Sequence, residues 1–418
     1  MKQLAGPARR RANLIATLLA LALPSAQAEG LSYDEARNLA VERSPMLAAR
    51  RAAVDGAHVA SAAAAELPDP KLTAGVDNFP IGGPMRYTIS AEPMTQRSIG
   101  WMQEVPNAAK RAARREGAVA KAERERQMLA GERLAVRREV AQAWLVRWYA
   151  EQRLAAFAKL QDESRLLIAT LPDRVAAGRA MPAELTMARQ DALMLADRLD
   201  ELARERAQAQ ATLQRWLGDA AALPLQGEPP VLAPDAAALR TAIERQPELQ
   251  VFDPMRRMSE AELHEAEAMR KGDWAWQVMY SRRNPAYGDM VSFQLTFELP
   301  LWGEKRQEPQ VAARRHELQR LEGEREDLLR RRREEIDLQL AELDELDHKL
   351  QRLREAAVPL AEQRVNLALA AYEGARGDLA AVLTARRERA ELALRDIELQ
   401  ARRHALRARL ADLTEESR

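Results

Sequence analysis

The chain has 418 residues, and its 64 Lys+Arg against 63 Asp+Glu leave a net charge of +1, which excludes the cationic excess of a nucleic-acid binder. Aromatic residues are only 4% and charged residues 30%, a composition for water-facing helix rather than a large globular core. Cysteine is absent, which excludes disulfides, thiol catalysis, Cys-ligated zinc and iron–sulfur clusters, and a lipid anchor on an N-terminal cysteine.

In chain order, the first element is an address. Lys2 and Arg9–Arg11 form a basic region, Ala12–Leu23 is an apolar stretch too short to span a bilayer, and Ala26-Gln27-Ala28 supplies the small residues of a cleavage site. We read residues 1–28 as a signal peptide, the alternative being an uncleaved anchor. No later stretch approaches a transmembrane helix, so membrane contact falls to β-strands or to a peripheral surface.

The remainder occurs twice, as residues 29–230 and 231–418. Ser44-Pro45-Met46-Leu47 recurs as Gln246-Pro247-Glu248-Leu249, Gln103–Arg111 as Phe297–Arg306, and Arg174–Leu185 as Ala371–Val382, at offsets of 202, 194 and 197 residues. Three landmarks in one order at nearly constant spacing mark a duplication. Each copy predicts a short helix, a medium helix, a strand pair, a very long helix, a tight turn and a return helix.

In the first copy the medium helix covers Pro45–Glu66. The long helix runs over Asn107–Leu171, bracketed by Pro106 and Pro172, and the return helix over Pro182–Leu217. The return helix carries a 3/4-spaced seam at Leu185, Ala188, Ala192, Leu195, Leu199, Leu202, Arg206, Ala209, Leu213 and Trp216. The medium and return helices together nearly match the long one, so stacked end to end they complete a cylinder wall. In the second copy the long helix spans about Glu304–Tyr372 with a kink expected at Pro359, and the same spacing recurs at Ile336, Gln339, Leu343, Leu346, Leu350, Leu353, Ala357 and Leu360.

The strands fall at about 71–104 and 273–299. Val291–Leu299 alternates strictly, with Val291, Phe293, Leu295, Phe297 and Leu299 on one face and Ser292, Gln294, Thr296 and Glu298 on the other. Its partner, Trp274–Tyr280, sets Trp274, Trp276 and Tyr280 on one face, as in an interfacial aromatic belt. The first pair is Lys71–Asn78 and Arg86–Glu104, with Pro93 expected to bend or interrupt the second strand. Each pair alone reads as a half-buried soluble hairpin. Together they offer too few strands to close a membrane barrel, which needs about eight or more. Either the hairpins are not in the membrane or several chains pool them; three chains would give twelve strands, so the sequence asks for an oligomer, of which a homotrimer is the simplest.

These features resemble the TolC family of outer-membrane efflux proteins over nearly all of the mature chain, and the run Glu92–Pro106 looks most like its CzcC-type heavy-metal branch. The resemblance implies a mainly α fold with membrane β. Duplicated coiled-coil hairpins would form a trimeric α-barrel, continuing a shared twelve-stranded β-barrel whose lipid-facing side includes Val291–Leu299. It implies a passive outer-membrane conduit, exposed to outer-membrane lipid and the periplasm, with a periplasmic adaptor and an inner-membrane RND pump as partners. Heavy-metal cations are the expected cargo, with drug efflux and type I protein secretion as alternatives on the same architecture. The adaptor-docking tips would be at about 172–182, with Val175, Ala177, Gly178 and Arg179, and at about 372–379, with Gly374, Arg376 and Gly377. Ala375 stands where Gly178 stands in the first tip. Ala381 and Thr384 occupy the positions where some members place gating aspartates. Asp378 would form a ring at the tunnel mouth or serve as an ordinary helix N-cap.

No enzyme motif is present: there is no phosphate-binding GxxxxGK[ST] and no GxSxG elbow. No cofactor is expected. Asp344, Asp347 and His348 read as a weak cation cluster or a solvated face, and Met85, Met94 and Met102 as a soft-metal path or plain packing. The competing class is a soluble periplasmic coiled-coil scaffold or adaptor without a barrel.

Overall fold

The computed structural model describes residues 30–415, so the signal-peptide assignment lies outside the described residues. Helix α1 (Tyr33–Arg43) opens with a capping box between Ser32 and Glu35. Helix α2 (Pro45–Ala63) begins at a proline and is capped by the Ser44 hydroxyl, which accepts from the Leu47 amide. Strands β1 (Lys71–Asp77) and β2 (Gln96–Val105) lead to α3 (Ala108–Ala176), a rod of 69 residues and so about 100 Å long. Helix α4 (Pro182–Leu217) returns along it. The second copy supplies α5 (Ala236–Ala242), α6 (Pro247–Gln250), α7 (Phe252–Ala268), β3 (Trp274–Arg282) and β4 (Met290–Phe297). It ends with α8 (Gly303–Arg352), a π-helical turn (Leu353–Ala357), α9 (Val358–Glu373) and α10 (Leu379–Glu415). No helix among the described residues is long and apolar enough to cross a membrane.

Four boundaries differ from expectation. Pro172 does not stop α3; the helix runs through it to Ala176, because only one backbone bond is lost near a terminus already supported by packing. Strand β2 starts at Gln96, not Arg86. Pro93 lacks a donor, and the Glu92 carboxylate closes the turn after it by accepting from the Met94 and Thr95 amides at 2.7 and 2.6 Å. Strand β4 ends at Phe297, leaving Leu299 exposed just past it. Helix α2 ends at Ala63 rather than Glu66, so α2 and α4, with 19 and 36 residues, fall short of α3's 69. Helix α1 packs at their junction.

The α4 seam is real. Ala188, Leu195, Leu202 and Ala209 are buried at seven-residue spacing and Leu213 and Leu217 extend it, while Arg206 points out. The second-copy seam lies on the outgoing arm, α8 to α9, and needs one correction. It fails at Leu360, which is 62% exposed, whereas Ala361 and Val365 are buried. The π turn inserts one residue and rotates the buried face by that amount. The π turn ends two residues ahead of Pro359, where the kink is expected.

Around Trp144 the middle of the rod is sealed. Its indole is fully buried, packs edge-on to Tyr33 at 5.6 Å, and donates to the Leu31 carbonyl at 3.0 Å. The buried Arg147 donates to the Ala221 and Leu223 carbonyls. Leu31 pairs with Leu225, tying the start of the described chain to the segment after α4. Truncating Leu202 to alanine, which opens a cavity in the α3–α4 seam, is expected to cost about 2–5 kcal/mol in chemical denaturation of the detergent-solubilised chain.

Candidate functional site

The two hairpins merge into one antiparallel sheet of order β1-β2-β3-β4, joined across the repeats by nine residue pairs from Arg97↔Arg282 to Val105↔Trp274. Residues directly opposite one another share a face, so the registers assign every side chain. One face collects Leu72, Ala74 and Val76 of β1 with Ile99 and Trp101 of β2. It continues with Trp274, Trp276, Val278 and Tyr280 of β3, opposite Phe297, Leu295, Phe293 and Val291 of β4; Arg97 and Arg282 at the loop end and Gln103 near the helix end are the polar residues on it. The other face carries Lys71, Thr73, Asp77, Ser98, Gln277, Ser292, Gln294 and Thr296, with Met102 and Met279 among them. The apolar face is open: Phe293 is 64% exposed, Phe297 62% and Leu72 67%. The two tryptophans of β3 sit at the helix end of this face and Tyr280 toward the loop end.

The contribution of the first repeat was not assigned from sequence, though its signal was present. Leu72, Ala74 and Val76 alternate with Lys71, Thr73, Gly75 and Asp77, and Ile99 and Trp101 fall at the same period of two around Gly100. At the helix end, Asn107 caps α3 by accepting from the Lys110 amide, while its own amide and the Lys110 ammonium both reach Asp273, at 2.9 and 2.8 Å.

At the opposite end of the rods the two tips are built alike. In the first, the Ala177, Gly178 and Arg179 amides donate to the Asp173, Val175 and Arg174 carbonyls. In the second, the Gly374, Ala375 and Arg376 amides donate to Ala370, Tyr372 and Ala371, the same bonds 197 residues on. Gly178 sits at φ +68° and Ala375 at +56°, so alanine takes a left-handed position that glycine fills in the first tip. Gly377 packs close to Ala371. Asp378 is a helix cap, its carboxylate accepting from the Ala381 amide at 2.8 Å. Val175 is half-buried, whereas Ala177, Gly178, Arg179, Gly374, Arg376 and Gly377 are exposed.

Tyr372 joins the tips, a link with no signal in the sequence. Its ring is buried against Leu171, Ala188 and Leu379 with the Arg174 guanidinium over its face at 4.7 Å, and its hydroxyl donates to Glu184 at 2.6 Å. Burial first, then that carboxylate, pushes its pKa up to about 12. Further along the rods Tyr149 is hydrogen-bonded to His404. Burial, reinforced by Arg403 and Arg407, holds the His404 imidazole below its ordinary range, and burial pushes Tyr149 up to about 12.

Of the two readings of Asp344, Asp347 and His348, the cation cluster does not assemble. Asp347 is held by Arg403 and Arg407, at 3.3 and 3.0 Å, while Asp344 and His348 are exposed, and no group of three His, Asp or Glu suited to a metal occurs among the described residues. Met85 and Met94 are exposed on the β1–β2 loop, apart from Met102 on β2.

No family model matches the chain, and no curated protein matches it either. Solved structures do. A membrane protein from Pseudomonas aeruginosa has 20% identity and a TM-score of 0.77, covering 91% of this chain and 90% of that one. CusC, described in connection with transmembrane channel formation, has 15% identity and a TM-score of 0.77, covering 91% of each chain. The outer membrane protein VceC from Vibrio cholerae has 17% identity and a TM-score of 0.72, covering 91% and 96%. The fold is therefore that of TolC-family outer-membrane channels.

Two outcomes are expected from this geometry. Ala375→Gly removes a left-handed alanine that costs about 1–2 kcal/mol and should raise the melting temperature, whereas Gly178→Ala introduces the same cost and should lower it. The second concerns acid. Because the folded chain resists protonating His404, the unfolded chain takes up a proton first, so stability present above pH 6.5 falls as the pH drops below that value. Melting curves across this range should show the loss in the native chain and a smaller one in His404→Gln.

Proposed function

We propose that the chain is the outer-membrane channel subunit of a tripartite efflux system, working as a homotrimer. The observation that carries this reading is the sheet: one face apolar and exposed across all four strands, the other polar, with β1 and β4 at its two edges. An apolar face of this extent on a charge-rich chain calls for a nonaqueous neighbour, and four strands cannot close alone. Three copies give twelve strands, apolar outside and polar within. Val291, Phe293, Leu295, Phe297 and Leu299 then face lipid, with Trp274, Trp276 and Tyr280 at the interfaces. The rods extend into the periplasm, and the paired tips at Gly178 and Ala375 meet a periplasmic adaptor that hands over substrate from an inner-membrane RND pump.

The chain acts by providing a wide polar path, so its work is positional and selectivity lies with its partners. Heavy-metal cations are the cargo favoured by the Glu92–Pro106 run. The soluble-scaffold reading is disfavoured because it leaves the apolar face in water. Charged substitution at the sheet decides between them. Phe293→Lys or Phe297→Lys should deplete the protein from the outer-membrane fraction, while Gln294→Lys and Thr296→Lys should leave it there, a lipid-face Lys costing about 2–4 kcal/mol at mid-depth. Equal tolerance at both sets would show that the apolar face does not meet lipid.

A further inference from the structure

The duplication sets Gln246 where the first copy has Ser44, and the two corners differ in how their side chains are satisfied. Ser44 is spent at home, accepting from the Leu47 amide. Gln246 makes no such cap. Its side chain is longer, the residue is only 7% exposed, and its Nε2 has no hydrogen-bond partner. It lines a cavity of about 180 Å³ where the first repeat meets the second, between α3, α8 and α10. A buried amide without a partner costs free energy, so a group that remains so in a polar cavity marks a place for an acceptor.

The charged groups around the cavity sort into spent and free. Arg332 is held between Glu248 and Glu335, and Glu335 also accepts from Gln339. Arg138 of α3 and Arg409 of α10 make no ion pair or hydrogen bond among the described residues, and Glu139, also in the lining, is exposed like Arg409. Two guanidiniums unpartnered among the described residues, half-buried Arg138 and exposed Arg409, therefore line the cavity with one buried orphan amide, all as donors. Apolar Ile336 and Leu413 complete the lining. Guanidinium forks and an amide suit an oxyanion, which presents only acceptors.

We propose that this cavity binds a small oxyanion, of the phosphate, sulfate or carboxylate class, bridging Arg138 of the first repeat and Gln246 and Arg409 of the second. The bound ion would clamp the two copies together at the middle of the rods. The inference concerns the helical body of the chain and is independent of the channel reading.

The test is thermal melting of the detergent-solubilised full chain in potassium chloride, phosphate, sulfate or acetate at equal ionic strength. The native chain should gain about 2–4 °C in at least one oxyanion over chloride. Phosphate and sulfate responding without acetate would define a tetrahedral site, and acetate responding alone a carboxylate site. Arg138→Gln with Arg409→Gln should abolish the gain. Gln246→Glu supplies the carboxylate internally, so it should melt higher than the native chain in chloride and no longer respond to oxyanions. Equal melting of the native chain in all four salts would overturn the proposal. So would an equal gain in the native chain and both variants, the signature of an adventitious ion only.

Discussion

An amphipathic sheet with two open edges is the constraint from which the rest follows. Strand β1 has a neighbour only on the β2 side and β4 only on the β3 side among the described residues. Backbone groups on those outer edges need partners, and hydrocarbon supplies none; each group left unmet there costs several kcal/mol. The apolar face and the open edges thus make opposite demands on a single copy, one for lipid and the other for water. In the proposed assembly a neighbouring copy supplies the missing strand at each edge, and the same closure turns the polar face into a lumen. The helical body obeys a parallel logic, because α3 is far too long for its own core and is covered in stretches by α2, α1 and α4.

Duplication explains why the parts agree without being identical. The tips keep the same three backbone bonds 197 residues apart, yet one uses glycine and the other alanine in the left-handed position. The long arm is one unbroken helix in the first copy. In the second it is divided by a π turn, where Arg354 grips Asp396 of α10 with two bonds of 2.7 and 3.1 Å. A π turn shifts the buried face by one position without ending the helix, so the second arm can pack in a different rotational setting at its two ends.

Much of this was legible in the residues. Period-two alternation in Val291–Phe297, the start of α3 just after Pro106 and the seven-residue seam of α4 each follow from local sequence alone. What failed was local physics overridden by context. Pro172 continues a helix because the turn around it is packed, and Leu360 leaves the seam because an inserted residue upstream changes the phase, which no fixed spacing anticipates. Joining of the two hairpins through β2 and β3 was not expected, since pairing between strands some 180 residues apart has no local signature. The tie between Tyr372 and Glu184 was hidden for the same reason, as was the orphan amide of Gln246. The sequence does show that Gln246 departs from Ser44, but only the packing reveals where its side chain goes.

The central claim is that one chain contributes a third of a pore wall. Its most direct test is the mass of the full-length protein extracted in mild detergent, measured by native mass spectrometry alongside conductance in a planar bilayer. The account predicts a species of three chains that conducts ions continuously. A folded single chain of 46.9 kDa or less that stays soluble in detergent-free buffer and opens no conductance would contradict it.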